Sequence, residues 1–202
     1  YEISTRDWSS DVCSSDLFKS NFDLSNKWAL ISGAAGLLGK QHAIALLELN
    51  ANVVLIDLNI NELRIMNDEL TAVYKSQKIL TYNSDVSSEE CILKLQSELS
   101  TKHIEISVLI NNAAINPKYS TSNLQKNLSR VEGFSLYDWD LQLNVGLKGA
   151  FICSKIFGSR MAKAGGGVIL NIASDLSIIA PDQRIYSDRN QTIDNQPVKP
   201  IT

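Results

Sequence analysis

Two apolar runs, one ending in a glycine-rich turn and the other in an acid, constrain this chain more than anything else in it. Trp28-Ala29-Leu30-Ile31 reads as a strand and enters the turn Ser32-Gly33-Ala34-Ala35-Gly36-Leu37-Leu38-Gly39. A helix-forming stretch follows, then Val53-Val54-Leu55-Ile56, which stops on Asp57. Strand, glycine turn, helix, strand, acid is the order of a dinucleotide-binding βαβ unit. Gly33 lets the chain leave the strand in a turn that a side chain would block. Gly36 is expected to be bare so that main-chain N–H groups approach a pyrophosphate, and Gly39 so that the helix packs close to the strand. The helix N-terminus adds unpaired N–H groups and a partial positive charge. Asp57 stands where a carboxylate accepts both hydroxyl protons of an adenosine ribose. A 2′-phosphate there meets like charge, and no Arg or Lys lies in the turn or directly after Asp57 to offset it. The predicted cofactor is therefore NAD, with NADP disfavoured.

The chain has 202 residues, enough for one domain with a substantial core. Its net charge of -3 lacks the basic excess that marks a nucleic-acid partner. No apolar run approaches the roughly 18 residues of a membrane span. Cys13, Cys91 and Cys153 form no CxxC pair, so the expected compartment is reducing, the cytoplasm. His42 and His103 have no Cys, His or carboxylate at metal-ligand spacing and read as surface or helix-end residues. No metal site is expected.

Further strands are expected over Lys78–Tyr82, Ile106–Ile110 and Val168–Ile172. Leu63, Met66, Leu70, Val73 and Tyr74 form a helical stripe of the core-facing kind. Ser87, with Glu90 three residues on, reads as a capping box opening a helix that carries Ile92, Leu95 and Leu99. A long helix is predicted over Leu136–Lys163, with Trp139, Leu143, Leu147 and Phe151 broadly on one face and Gly165-Gly166-Gly167 ending it. Alternating strands and helices imply a parallel sheet covered on both faces, an α/β fold of the Rossmann, doubly wound type. Asn116–Gly133 reads as a loop. Asp175–Thr202, with Pro181, Pro197 and Pro200, is long and irregular, as functional loops often are.

Residues 1–17 show neither an apolar period nor a secretory pattern. They are expected to be an extraneous segment, resembling a translated sequencing adapter, or a disordered arm, which leaves a domain over 18–202 with 175–202 as its substrate loop. That domain is expected to be truncated at its C-terminus.

Taken together, SGAAGLLG, Asp57, Asp85-Val86, Asn111-Asn112-Ala113-Ala114, Asn144 and Asn171-Ile172-Ala173-Ser174 resemble the short-chain dehydrogenase/reductase family. The resemblance covers Lys27–Ser174. It implies a sheet of order 3-2-1-4-5, completed by two more strands in a full-length protein. It also implies cofactor contacts from Gly33, Ala35, Gly36, Leu37, Leu38 and Gly39, from Asp57 and Leu58, and from Asp85 and Val86 at the adenine. Asn112, Ala113 and Ala114 would lie along a cofactor ribose. Ser174 would hydrogen-bond the substrate oxygen, and Asn144 would hold a water in a proton relay. Asn111 is expected to be structural, joining neighbouring strands.

Three departures bear on this. The glycines are spaced GxxGxxG rather than GxxxGxG, which is closer to the extended branch acting on nucleotide sugars. Ala114 replaces a usual Gly. The family's Tyr–Lys pair is not evident, because Tyr186 has Asn190 and not Lys four residues on. Lys199 precedes Pro200, which disfavours helix there. The Tyr and Lys are expected just beyond Thr202, so this chain should bind cofactor weakly and turn nothing over. The leading expectation is hydride transfer between the nicotinamide and a secondary alcohol or ketone, a small polar substrate suited to Asp175, Asp182, Gln183 and Arg184. SDLSIIAPDQRIY resembles reductases of bacterial surface-glycan and flagellin-modification clusters. The alternatives are a nucleotide-sugar epimerase or dehydratase, and a non-catalytic dinucleotide-binding protein. A homo-oligomer is expected for the complete protein, with Leu147 and Phe151 serving either its interface or the monomer core.

Overall fold

The computed structural model describes residues 21–115, 133–174, 178, 179 and 182. Residues 1–20 with Cys13, residues 116–132 of the stretch expected to be a loop, and Tyr186, Asn190 and Lys199 lie outside the described residues. Five strands, β1 (Trp28–Ser32), β2 (Asn52–Asp57), β3 (Ile79–Asn83), β4 (Ile106–Asn111) and β5 (Val168–Asn171), form one sheet of order β3-β2-β1-β4-β5. Every pairing is parallel. The helices are α1 (Leu37–Glu48), α2 (Ile60–Val73) and α3 (Glu89–Thr101). A fourth, α4, begins at Leu136 and ends at Lys163, with π-helical turns at Asn144–Lys148 and Ser154–Gly158.

The period of two along each strand sorts the core into two layers. Ala29, Ile31, Val53 and Leu55 face α1 and α2, where Ala43, Leu47, Leu63 and Leu70 meet them. Leu30, Val54 and Ile56 face α3 and α4, against Ile92, Leu99, Ile152 and Phe157. In β4 the alternation breaks: Ile106 and Leu109, three apart, share the α3/α4 layer. The cause is a bulge. Trp28 pairs with Ile106 and Ala29 with Val108, which leaves Ser107 as the extra residue.

Four expectations are corrected. The third strand runs Ile79–Asn83, one residue later than predicted at each end. Ser88, not Ser87, caps α3, accepting from the Cys91 N–H at 3.3 Å. Ser87 is drawn away by Asp85, whose Oδ1 takes both its N–H (2.8 Å) and its hydroxyl (2.7 Å). Val73 leaves its stripe and is 70% exposed, because α2 ends there. On α4 the buried face is Ile152, Cys153, Ile156, Phe157 and Met161. Leu147 and Phe151 point outward at 69% and 65% exposure, so neither belongs to the monomer core.

His103 sits at φ 54, two residues past the end of α3, as a helix-end residue. Cys91 and Cys153 are free thiols. Burial pushes the Cys153 thiol up to about 12. β5 ends the described sheet with Val168, Ile169 and Leu170 exposed.

Replacing Leu70 by Ala should cost about 2–5 kcal/mol in urea unfolding, whereas Val73→Ala should stay within about 0.5 kcal/mol. Equal losses would contradict the placement of α2. In the folded chain at about pH 8, iodoacetamide should leave Cys153 unmodified in peptide maps. Modification there at the rate seen in denaturant would show that the α3/α4 layer is open.

Candidate functional site: a cleft at the C-terminal sheet edge

In a parallel sheet, ligands bind outside the carboxyl ends of the strands where the strand order reverses. Here that point lies between β1 and β4. Gly33 leaves β1 at φ 62, and a Cβ on it would come within 2.7 Å of the Ala113 Cα. The two strand ends touch main chain to main chain. The buried Ser32 hydroxyl locks them: it accepts from the N–H groups of Asn112 (3.0 Å) and Ala113 (3.1 Å) and donates to the Ile110 carbonyl (3.4 Å). The Asn112 amide then donates to the carbonyls of Ser32 (3.2 Å) and Gly33 (3.0 Å). Gly39 is equally constrained, since a Cβ there would lie 2.3 Å from the Gly33 carbonyl oxygen.

Gly36 is the N-cap of α1 in ordinary extended backbone, φ -75, and a Cβ would come no nearer than 3.2 Å to the Gly33 oxygen. That contact is tight, though short of the clashes at Gly33 and Gly39. The N–H of Ala34 donates to the Ile56 carbonyl, that of Ala35 to Asp57 Oδ2 (3.1 Å) and that of Gly36 to the Gly33 carbonyl. Inside the helix the first bond is Lys40 N–H to the Gly36 carbonyl. The N–H groups of Leu37, Leu38 and Gly39 thus have no intrahelical acceptor.

The other helices close the same gap with side chains. Asn59, Ser88 and Ser135 cap α2, α3 and α4, and acids stand in each first turn: Glu62, Glu89 with Glu90, and Asp138. Helix α1 has neither a side-chain cap nor a first-turn acid. At α1 the partial positive charge of a helix N-terminus is left without a compensating side chain.

Asp57 stands beside it. Its Oδ1 accepts from the Asn59 N–H (2.9 Å) and its Oδ2 from the Ala35 N–H, so the carboxylate is held at the cleft rim with lone pairs to spare. The Asn83 amide props the next turn, donating to the carbonyls of Asp57 (3.2 Å) and Leu58 (2.7 Å). Asp85 uses Oδ1 on Ser87, which leaves Oδ2 for a ligand. A cleft of about 370 Å³ joins Gly33, Asp57, Leu58, Asp85, Val86, Ala113 and Ala114, with Leu141 and Val145 of α4 across from them. Val86 anchors that wall, because Gly149 lets α4 approach so near that a Cβ would meet the Val86 Cγ2 at 2.8 Å.

The cleft thus joins Gly33 of the glycine turn to the residues read after β2, β3 and β4, whereas Ala35, Gly36, Leu37, Leu38, Gly39 and Asn112 do not line it. Asn144 starts the first π turn of α4, half-buried and next to Val145. Ser174 is exposed, three residues past β5. Asn111 is structural: its amide donates to Asn171 Oδ1 (2.8 Å) and Ser154 Oγ (3.0 Å), tying β4 to β5 and α4. Two features went unread in the sequence, the Ser32 hub and the buried Ser84 on the cleft wall. No group of His, Cys, Asp and Glu among the described residues is placed to hold a metal, and no described helix is long and apolar enough to cross a membrane.

A parallel sheet of order β3-β2-β1-β4-β5 with helices packed on both layers is the architecture of a Rossmann-type domain. The chain matches the short chain dehydrogenase family over residues 27–187 and belongs to it. It is 29% identical over 168 residues to an NAD-dependent glycerol dehydrogenase of Listeria innocua, covering 83% of this chain and 60% of that protein. It is 28% identical over 165 residues to a D-threitol dehydrogenase of Mycolicibacterium smegmatis, covering 82% and 59%. Among solved structures, an NAD+-bound xylitol dehydrogenase superposes with a TM-score of 0.68 at 25% identity, covering 78% of this chain and 56% of that one. The chain thus spans about 60% of the length of these curated relatives.

Replacing Ser32 by Ala strands two N–H groups at the strand junction. Unfolding free energy should fall by about 1–3 kcal/mol, and hydrogen exchange at the Asn112 and Ala113 amides should accelerate. Unchanged protection there would contradict the hub.

Proposed function

We propose that this chain is the cofactor-binding part of an NAD-dependent oxidoreductase that moves a hydride between nicotinamide and a secondary alcohol or its ketone. The observation that carries the reading is the pairing of an uncapped, acid-free α1 N-terminus with the Asp57 carboxylate, which the Ala35 N–H ties to the turn that opens α1. The donor set suits the cofactor in both halves of its adenosine diphosphate: N–H groups for the pyrophosphate and a carboxylate for the ribose hydroxyls.

The first-turn N–H groups of Leu37, Leu38 and Gly39 would hold the pyrophosphate, with Gly33, Ala35 and Gly36 shaping the turn. Asp57 and Leu58 would border the ribose. Asp85 Oδ2 would accept from an adenine amino group beside Val86, and Asn112, Ala113 and Ala114 would flank the second ribose. When bound, the nicotinamide supplies the hydride acceptor or donor. Ser174 would hydrogen-bond the substrate oxygen and Asn144 would hold a water near it, roles supported by family membership and by their positions after β5 and on α4.

The substrate class is a sugar-derived or polyol alcohol. Support comes from the glycerol and threitol dehydrogenases among the relatives. The narrower resemblance to reductases of surface-glycan and flagellin-modification clusters rests on SDLSIIAPDQRIY alone. Residues 18–202 would form one domain with 175–202 as its substrate loop. The free thiols Cys91 and Cys153 support a cytoplasmic setting. The exposed Leu147 and Phe151 support a homo-oligomer built on the outer face of α4.

Calorimetric titration of the chain with NAD and NADP tests the reading. NAD should bind at least about tenfold tighter, a difference of about 1.4 kcal/mol. Asp57→Ser should narrow that ratio by removing the charge that repels a 2′-phosphate. Tighter NADP binding by the unmodified chain, or no binding of either, would overturn it.

A further inference from the structure

Ser84 follows β3 directly and is 7% exposed. Its N–H donates to the Asp57 carbonyl at 3.2 Å, which pins it between the tip of β2 and Asp85. The residue lines the cleft. Yet its hydroxyl oxygen is shielded from solvent and has no hydrogen-bond partner among the described residues. The side-chain donors on either side are engaged elsewhere: the Ser87 hydroxyl on Asp85, and the Asn83 amide on the carbonyls of Asp57 and Leu58. The other serine hydroxyls of this region, on Ser32 and Ser87, are likewise bonded. A shielded hydroxyl without a partner destabilises a fold relative to a methyl group of similar size. Such an orphan is explained by a partner that arrives later. One rotation about χ1, between staggered positions, re-aims a serine oxygen.

We propose that the Ser84 hydroxyl is a ligand contact, hydrogen-bonding the adenosine moiety of a nucleotide seated between Asp57 and Asp85, and that it stands unpaired in the free protein. The inference rests on the nucleotide reading above and adds a residue to it. It explains why a polar side chain occupies a buried position where Ala or Cys would pack without loss. A bridging water is the competing occupant. Such a water needs two to four polar partners, and the variants below separate the two occupants.

Ser84→Ala in the 202-residue chain separates these accounts. Its thermal midpoint without ligand should equal or exceed that of the unmodified chain. Its affinity for ADP-ribose, read by calorimetry, should fall about three- to tenfold. Binding of inorganic pyrophosphate, which needs only the α1 N-terminus, should not change. Ser84→Cys, with a weak S–H donor, should bind ADP-ribose with intermediate affinity. A lowered midpoint with unchanged ADP-ribose affinity would show a structural hydroxyl or a bound water, and would overturn the proposal. So would an equal loss of both ligands, or failure of Ser84→Ala to fold. ADP-ribose binding by the unmodified chain and by Ser84→Ala alike would sink this inference and leave the nucleotide reading standing. No ADP-ribose binding by the unmodified chain would sink both.

Discussion

The main chain at Gly33 passes so close to the main chain at Ala113 that no side chain fits between them. That contact joins the ends of the two central strands, and the site is arranged around it. It sets where α1 begins, because Gly39 must then clear the Gly33 carbonyl. It also brings β2, and with it Asp57, to the same rim, since the Asp57 carboxylate takes the N–H of Ala35 within the turn. One buried hydroxyl, on Ser32, holds the junction with three hydrogen bonds. Moving either strand end would leave buried N–H groups without acceptors.

Electrostatics then follows from what is left uncapped. Three helices neutralise their N-termini with Asn59, Ser88 or Ser135 and with first-turn acids. Helix α1 keeps its partial positive charge, with neither a side-chain cap nor a first-turn acid. Asp57 supplies negative charge a few residues away in space, held by two N–H groups. The proposed nucleotide, anionic at its diphosphate and rich in hydroxyl donors at its ribose, is complementary to both. Ion pairs such as Lys155–Glu89 and Arg160–Glu105 lie at the surface and brace α4. Exposed pairs of this kind contribute little to stability.

Much of this was legible in the sequence, because apolar runs with short polar breaks mark parallel strands without ambiguity. Asp57 is marked by its place after such a run, whereas Asp85 and Asn112–Ala114 take their reading from the resemblance to the short-chain family. The resemblance to the short-chain family supplied the strand order that pattern alone does not give. What stayed hidden depends on distances that spacing does not encode. Ser87 and Ser88 both suit a cap, and only the pull of Asp85 on Ser87 decides between them. The bulge at Ser107 leaves no mark in composition, yet it moves Leu109 to the α3/α4 layer. Leu147 and Phe151 read equally well as core or surface, because four-residue spacing follows a helix face only over a few turns. Ser32 and Ser84 are short polar residues beside more conspicuous neighbours, and only three-dimensional contacts separate a hub from an orphan.

The central claim is that one diphosphate-bearing ligand meets the α1 N-terminus and the β2 tip together. Amide NMR of the isotope-labelled chain during titration with ADP-ribose tests it most directly. The account predicts shifts concentrated at Leu37, Leu38, Gly39, Leu58 and Val86. Shifts confined to the polar cleft at the other end of the sheet, around Ser25, Asn50 and Gln77, or none at saturation, would contradict it.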